Sequence, residues 1–154
     1  MDVAKSAIGN PASINALFDV NDSVFLSNSY ASIQYTVAPT TTTAPVIGAV
    51  TLDGSLAEWT AVHRIDGAAS TAGHEIYGRV EGDSFIIALK APVAIGANTT
   101  AWLNTDQNTA TGFQVFSAAT GSEFNVNFGA DGKVGLFTGD AGVTPVAGGS
   151  DLKV

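Results

Sequence analysis

Apolar and polar residues alternate along most of this chain in short runs, and Gly, Asn, Asp or Pro interrupt the runs every eight to twelve residues or so. The alternation is clearest at Tyr30-Ala-Ser-Ile-Gln-Tyr-Thr-Val37. There Ala31, Ile33, Tyr35 and Val37 share one face, and Ser32, Gln34 and Thr36 share the other. Glu123-Phe-Asn-Val-Asn-Phe128 repeats the pattern, with Phe124, Val126 and Phe128 inward. Ile76–Val80 and Ser84–Leu89 flank Glu81-Gly82-Asp83 and predict a hairpin. The second of these strands is apolar on both faces and is expected in the middle of a sheet. Val46–Leu52 and Ala61–Ile65 read as strands. Between them Ser55 to Glu58 offers a capping box for one helical turn, with Trp59 turned inward. Residues 4–18 are expected to hold a helical turn or two, broken at Gly9-Asn10-Pro11.

About ten short strands and no sustained helical period predict an all-β protein, a two-sheet β-sandwich of jelly-roll type. Pro39-Thr-Thr-Thr-Thr-Ala-Pro45 has the composition of an extended tether. It divides the expected organisation into an N-terminal segment with an appended or donor strand (1–38), a linker (39–45) and the sandwich module (46–154).

The chemistry concentrates in Thr99–Gly112. Trp102 and Leu103 fall on opposite faces of a strand, after which Asn104, Asp106 and Asn108 occupy alternate positions of a loop closed by Gly112. Oxygen ligands at every second position suit a hard cation such as Ca²⁺. The loop is not an EF-hand: counted from Asn104, Thr109 and Val115 stand where Gly and a bidentate Glu belong. The same residues also serve an ordinary turn, because Asn and Asp bond their own main chain. Glu123, at the start of the returning strand, is expected on the same edge as Asp106 and is the fourth candidate ligand.

Composition narrows the function classes. The net charge is −8, and six Lys and Arg among 154 residues cannot build a phosphate-binding face, so nucleic acid is excluded as a partner. An acidic surface instead favours divalent cations. Charged residues make up only 13%, which leaves Ser, Thr, Asn and Gly to form the surface, as in extracellular β-rich proteins. Cysteine is absent, and with it disulfides, thiolate metal sites and cysteine catalysis. Neither an N-terminal apolar signal nor a membrane span is visible. His63 and His74 have no zinc spacing, no Ser lies in a Gly-x-Ser-x-Gly elbow, and Glu58 and Glu81 have capping and turn roles. The expectation is a non-enzyme.

Thr51-Leu-Asp-Gly-Ser-Leu-Ala-Glu-Trp59, followed by Arg64-Ile-Asp-Gly67, resembles the start of DOMON-like β-sandwiches and family 9 carbohydrate-binding modules. Ala94–Phe116 and Glu123–Phe128 resemble modules of this kind in large, calcium-rich bacterial surface and secreted proteins. The resemblance implies a module outside the cell or on the bacterial surface, binding carbohydrate or a cell-surface glycan or acting in adhesion. By it, Asn104, Asp106 and Asn108 would hold Ca²⁺. Trp102 and Tyr77 are the candidate sugar platforms. The same resemblance implies further strands after Phe137, so the sandwich is expected to be incomplete at its C-terminus. An incomplete sandwich leaves open strand edges. The alternative function is therefore a structural subunit that self-associates by strand exchange through residues 23–38.

Overall fold

The computed structural model describes residues 1–21, 24–34, 49–66, 72–115, 119–147 and 152, with the backbone alone for 25–34. The protein is an all-β sandwich of two antiparallel sheets. Its strands are β1 (Asp2–Ala4), β2 (Ser13–Val20), β3 (Val24–Gln34), β4 (Glu75–Glu81), β5 (Ser84–Lys90), β6 (Thr99–Asn104), β7 (Phe124–Phe128), β8 (Val134–Thr138) and β9 (Thr144–Pro145). The smaller sheet has the order β1-β5-β4, and the larger β3-β2-β6-β7-β8-β9. Among the described residues no helix is long and apolar enough to cross a membrane.

The strands expected at 76–80, 84–89, 99–103 and 123–128 form as β4 to β7, and β6 is buried along its whole length. The 75–90 hairpin closes through Glu81 opposite Ser84, with Gly82 left-handed at φ 53°. β5, apolar on both faces, is the central strand of its sheet. Of the 30–37 strand, residues 30–34 lie in β3 and residues 35–37 fall outside the described residues, as does the whole 39–45 linker.

Four local expectations are corrected in whole or in part. Of the one or two helical turns expected in residues 4–18 one is present, and residues 13–18 are strand. A single 3₁₀ turn, Lys5–Ile8, ends at left-handed Gly9 and leads into β2. Ile14, Ala16, Phe18 and Val20 alternate along β2 into the main core, but Leu17 and Phe18 are adjacent apolar residues and blur that period. Residues 49–52 are not strand; this extended segment is anchored where the Val50 N–H donates to Glu81 Oε1 at 3.0 Å. Ala61–His63 is a 3₁₀ turn, and only Arg64 bridges to Tyr77. The Ser55 capping box is also absent. Asp53 Oδ1 takes the Ser55 N–H at 2.8 Å, and Glu58 leaves one buried carboxylate oxygen with no hydrogen-bond partner.

Residues 1–34 are built into both sheets. β1 pairs with β5, and β2 lies between β3 and β6, with Phe18 opposite Ala101 and Leu17 opposite Trp102. Val3, Ile8, Ile14 and Phe18 share one buried cluster with Phe85, Ile87, Leu103, Val126 and Leu136. The segment that fills the sandwich is thus β2, with β3 outside it and paired within the same chain. Beyond β8, Val146 N–H donates to Leu136 O and Leu152 N–H to Val134 O, each at 2.9 Å, so that edge carries backbone partners.

The larger sheet also has a covered outer face. Leu17, Trp102 and Val115 form a second buried cluster under Phe113 and Ala141. Asn125, fully buried on β7, clamps the turn above it. Its amide donates to Gly139 O at 3.0 Å and Asp140 O at 3.3 Å, and its oxygen accepts from Gly142 N–H at 3.3 Å. The outward position expected for Asn125 holds; solvent exposure does not.

Candidate functional site

The end of β6 and the start of β7 carry an excursion, residues 105–115 and 119–123, over the outer face of the larger sheet. Phe113 pairs with Ser122 through both backbone hydrogen bonds, 2.8 and 3.0 Å. This pairing folds the excursion into a small ribbon. The Gln114 side chain ties its two halves: its amide donates to Thr109 O and Thr111 O, and its oxygen accepts from Thr120 N–H at 2.9 Å. Two left-handed glycines let the halves approach. A Cβ on Gly112 would lie 2.7 Å from Glu123 Oε1, and one on Gly121 would lie 2.2 Å from Asn108 O.

Within this frame Asp106 and Glu123 are drawn together around one hydroxyl. Thr111 Oγ1 lies 2.8 Å from Asp106 Oδ2, 3.0 Å from Asn108 O and 3.5 Å from Glu123 Oε1. The other oxygen of each carboxylate is engaged. Asp106 Oδ1 accepts from Asn108 N–H at 2.8 Å, and Glu123 Oε2 accepts from Thr105 N–H at 2.8 Å. A hydroxyl carries one proton. Three acceptors face it, two of them carboxylate oxygens, and none of the ion pairs among the described residues includes Asp106 or Glu123. Thr105 Oγ1 also donates to Glu123 Oε2 at 3.2 Å, and Asp106, Asn108 and Thr111 are exposed; the gathered carboxylate and carbonyl oxygens are of the kind a hard cation takes.

The four expected ligands do not play equal parts. Asp106 and Glu123 are brought together. Asn108 offers its backbone carbonyl, while its side-chain oxygen turns back to accept from Ala110 N–H at 3.0 Å. Asn104 is fully buried and points its amide at Thr120 O, 3.0 Å away, leaving Oδ1 without a partner inside the protein. It braces the ribbon and is not among the groups around Thr111. Thr111 itself was missed in the sequence. Its signal is the spacing from Asp106 to Thr111-Gly112, which places a hydroxyl one residue before the turn glycine. Among the described residues no group of three or more His, Cys, Asp and Glu could hold a metal. The Thr111 centre has two carboxylates and neutral oxygens, a donor set that fits Ca²⁺ better than Zn²⁺.

The two candidate platforms separate. Trp102 is 4% exposed and stacked under Phe113, ring centroids 5.1 Å apart and planes within 9°. Its ring faces are therefore unavailable to a sugar. Burial follows from its register: Trp102 lies beside Leu17 on the outer face that the ribbon covers. Tyr77 lies half-buried on the outer face of β4, 5.7 Å from the Trp59 ring, and its hydroxyl donates to Glu75. Lys90 Nζ also donates to Glu75, at 2.9 Å, and Arg64 pairs bidentately with Asp66 nearby. Hydrogen bonds from Tyr77 and Lys90 hold the Glu75 carboxyl below its ordinary range, and the bond to Glu75 raises the Tyr77 phenol.

His63 borders the same face, edge-on to Trp59 at 5.8 Å. The Thr60 N–H donates to its Nδ1 at 3.2 Å, so Nδ1 must be unprotonated. Burial, and then the Arg79 charge, hold His63 below the usual imidazole range. The native state therefore binds this proton more weakly than the unfolded chain. The stability from neutral His63 is present above the unfolded value of about 6.5 and is lost as pH falls through the lower native value. Urea unfolding at pH 7 and pH 5, on wild type and His63→Gln, should show a stability advantage of wild type that shrinks at the lower pH. An advantage independent of pH would contradict the capping geometry.

Comparison with protein-family models, curated proteins and solved structures finds no match to this chain.

Proposed function

We propose that the chain is a non-catalytic, extracellular β-sandwich module, DOMON-like in kind, in which Ca²⁺ fixes the 104–112 loop and the outer surface binds carbohydrate or serves adhesion. The observation that carries the cation is the Thr111 centre, where Asp106, Asn108 and Glu123 turn acceptor oxygens on a single hydroxyl. The cation would supply positive charge to both carboxylates and so lock the ribbon over Trp102. Asp106, Glu123, Thr111 and the Asn108 carbonyl would hold it; Asn104 would act through the buried brace to Thr120.

The non-catalytic reading is supported by what the carboxylates do. Glu75 and Glu81 are engaged with Lys90 and Arg79, and Glu123 with the Thr105 backbone. For carbohydrate, Tyr77 takes over from Trp102. A half-buried ring flanked by Glu75, Arg64 and Lys90 combines an apolar surface with polar groups that can pair with hydroxyls. In a glycan screen, binding that Tyr77→Ala abolishes supports this surface; binding that survives places it elsewhere.

The cation is tested by thermal unfolding with Ca²⁺ and with EDTA. At a hundredfold excess over Kd, binding stabilises by about 2.7 kcal/mol, a rise of roughly 5–10 °C for a chain of this length. The rise should vanish in Asp106→Ala. Equal midpoints of wild type in Ca²⁺ and EDTA would leave the ribbon an ordinary turn.

A further inference from the structure

We infer that the gap between the two sheets beneath residues 50–59 is a binding pocket for a small, uncharged, mainly apolar molecule with a single polar tip. The cavity has a volume of about 220 Å³ and opens to solvent. Phe18 and Phe128 wall it from the larger sheet, Ile87 and Leu89 from the smaller, and Leu56 and Trp59 from the cover. These walls come from three separate parts of the fold, so a molecule in the gap meets apolar side chains on three sides and solvent at the mouth.

The chemistry of the lining selects the ligand. Among the described residues no charged side chain lines the cavity, and the Met1 amino group at its wall donates to the Ile87 carbonyl at 2.7 Å. Water against these walls would find few partners, so the lining favours an apolar guest. A cavity of about 150 Å³ holds benzene, so this one suits a bicyclic guest of about ten heavy atoms. Sugars need several fixed polar partners, which the walls lack. The polar groups lie at the mouth, where Thr51 and Ser55 are exposed. Ser55 Oγ accepts from Ala57 N–H at 3.1 Å, which leaves its own proton for a hydroxyl or carbonyl on the guest. Ile95, 36% exposed, forms part of the rim. This site is separate from the Thr111 centre and does not depend on it.

The test is titration of the full chain with 1-naphthol and with indole, with D-glucose as the polar comparison. Calorimetry should give one site with a Kd of about 0.1–1 mM for 1-naphthol, in line with the efficiency of small ligands. Glucose should give none. In nuclear magnetic resonance spectra of wild type, the Trp59 indole N–H should shift on titration while that of Trp102 stays in place. Ile95→Trp fills the mouth and should weaken binding at least tenfold. Val143→Trp, at an exposed position outside the cavity, should leave it unchanged. Melting curves establish that both variants fold. The proposal is overturned if 1-naphthol shows no saturable binding to wild type, if Trp59 does not respond, or if the two variants bind alike. Concentration-dependent association lost in Ile95→Trp, without naphthol binding, would assign the mouth to a second copy of the chain and overturn it equally.

Discussion

Phe18→Ala should destabilise the protein by about 4 kcal/mol and lower its melting midpoint by roughly 10 °C. The ring is fully buried in the main core and lies on β2 opposite Ala101 of β6. Removing it takes away the burial of a whole aromatic side chain and leaves a void between two sheets that cannot collapse onto each other without shifting strands. The loss is a large part of the 5–15 kcal/mol that holds a typical domain together. Because Phe18 belongs to residues 1–34, the loss must appear as a shift of the single cooperative transition, read by urea unfolding with Trp fluorescence and far-ultraviolet dichroism together. Val62→Ala, at an 81% exposed position, should change stability by no more than about 0.5 kcal/mol. If Phe18→Ala left the main transition in place, the N-terminal strands would be peripheral to the sandwich.

Gly121→Ala should cost about 3 kcal/mol, from two sources. The residue sits at φ +59°, where an L side chain is strained by about 1 kcal/mol. Its new Cβ would also lie 2.2 Å from the Asn108 carbonyl oxygen and 2.7 Å from Thr109 Cα. Both are backbone atoms, which no rotamer change can move aside, so the ribbon must part, at about 2 kcal/mol. Gly132→Ala separates the two sources. Gly132 has φ +78° and open space around it, so only the strain of about 1 kcal/mol remains. Chemical denaturation of both variants reads the difference. Equal losses would mean that the 108–109 and 120–121 backbones are not in contact. Parting them also moves the Asn108–Thr111 turn relative to Glu123, so in the cation reading Gly121→Ala should weaken Ca²⁺ binding along with stability.

The sheets were legible in the sequence wherever one face is buried and the other is not. Glu123–Phe128 and Glu75–Glu81 alternate because Phe124, Val126 and Phe128, and Ile76 and Val80, face the main core while polar or larger residues lie between them. β2 was not legible as a strand because both its faces are covered. Leu17 packs outward under the ribbon while Phe18 packs inward, so the expected period of two becomes a continuous apolar run that also suits a helix. Trp102 misled for a related reason. As a Trp in a central strand it suited a core position or a platform, and the Phe113–Ser122 pairing that covers it joins residues whose contact depends on Gly112 and Gly121. The candidate cation centre was half legible. The Asp106 spacing pointed to the loop, and Glu123 was placed on the same edge. The hydroxyl that unites them, from Thr111, follows only from the tertiary path of the ribbon, as does the diversion of Asn104 to Thr120.

The Thr111 centre also links stability to the surface. In the cation reading, neutralising Asp106 and Glu123 holds the ribbon down and keeps the stacked Trp102–Phe113 pair closed. Without the cation, two carboxylates compete for one proton, and their repulsion works against that closure. Direct titration of Ca²⁺ into chelator-treated protein by calorimetry, on wild type and on Glu123→Gln, therefore tests the central claim most plainly. The expected result is a single saturable site with a Kd of about 0.1 mM, in the range of extracellular modules, weakened at least tenfold in Glu123→Gln. No saturable heat from wild type, or the same affinity in both proteins, would contradict it.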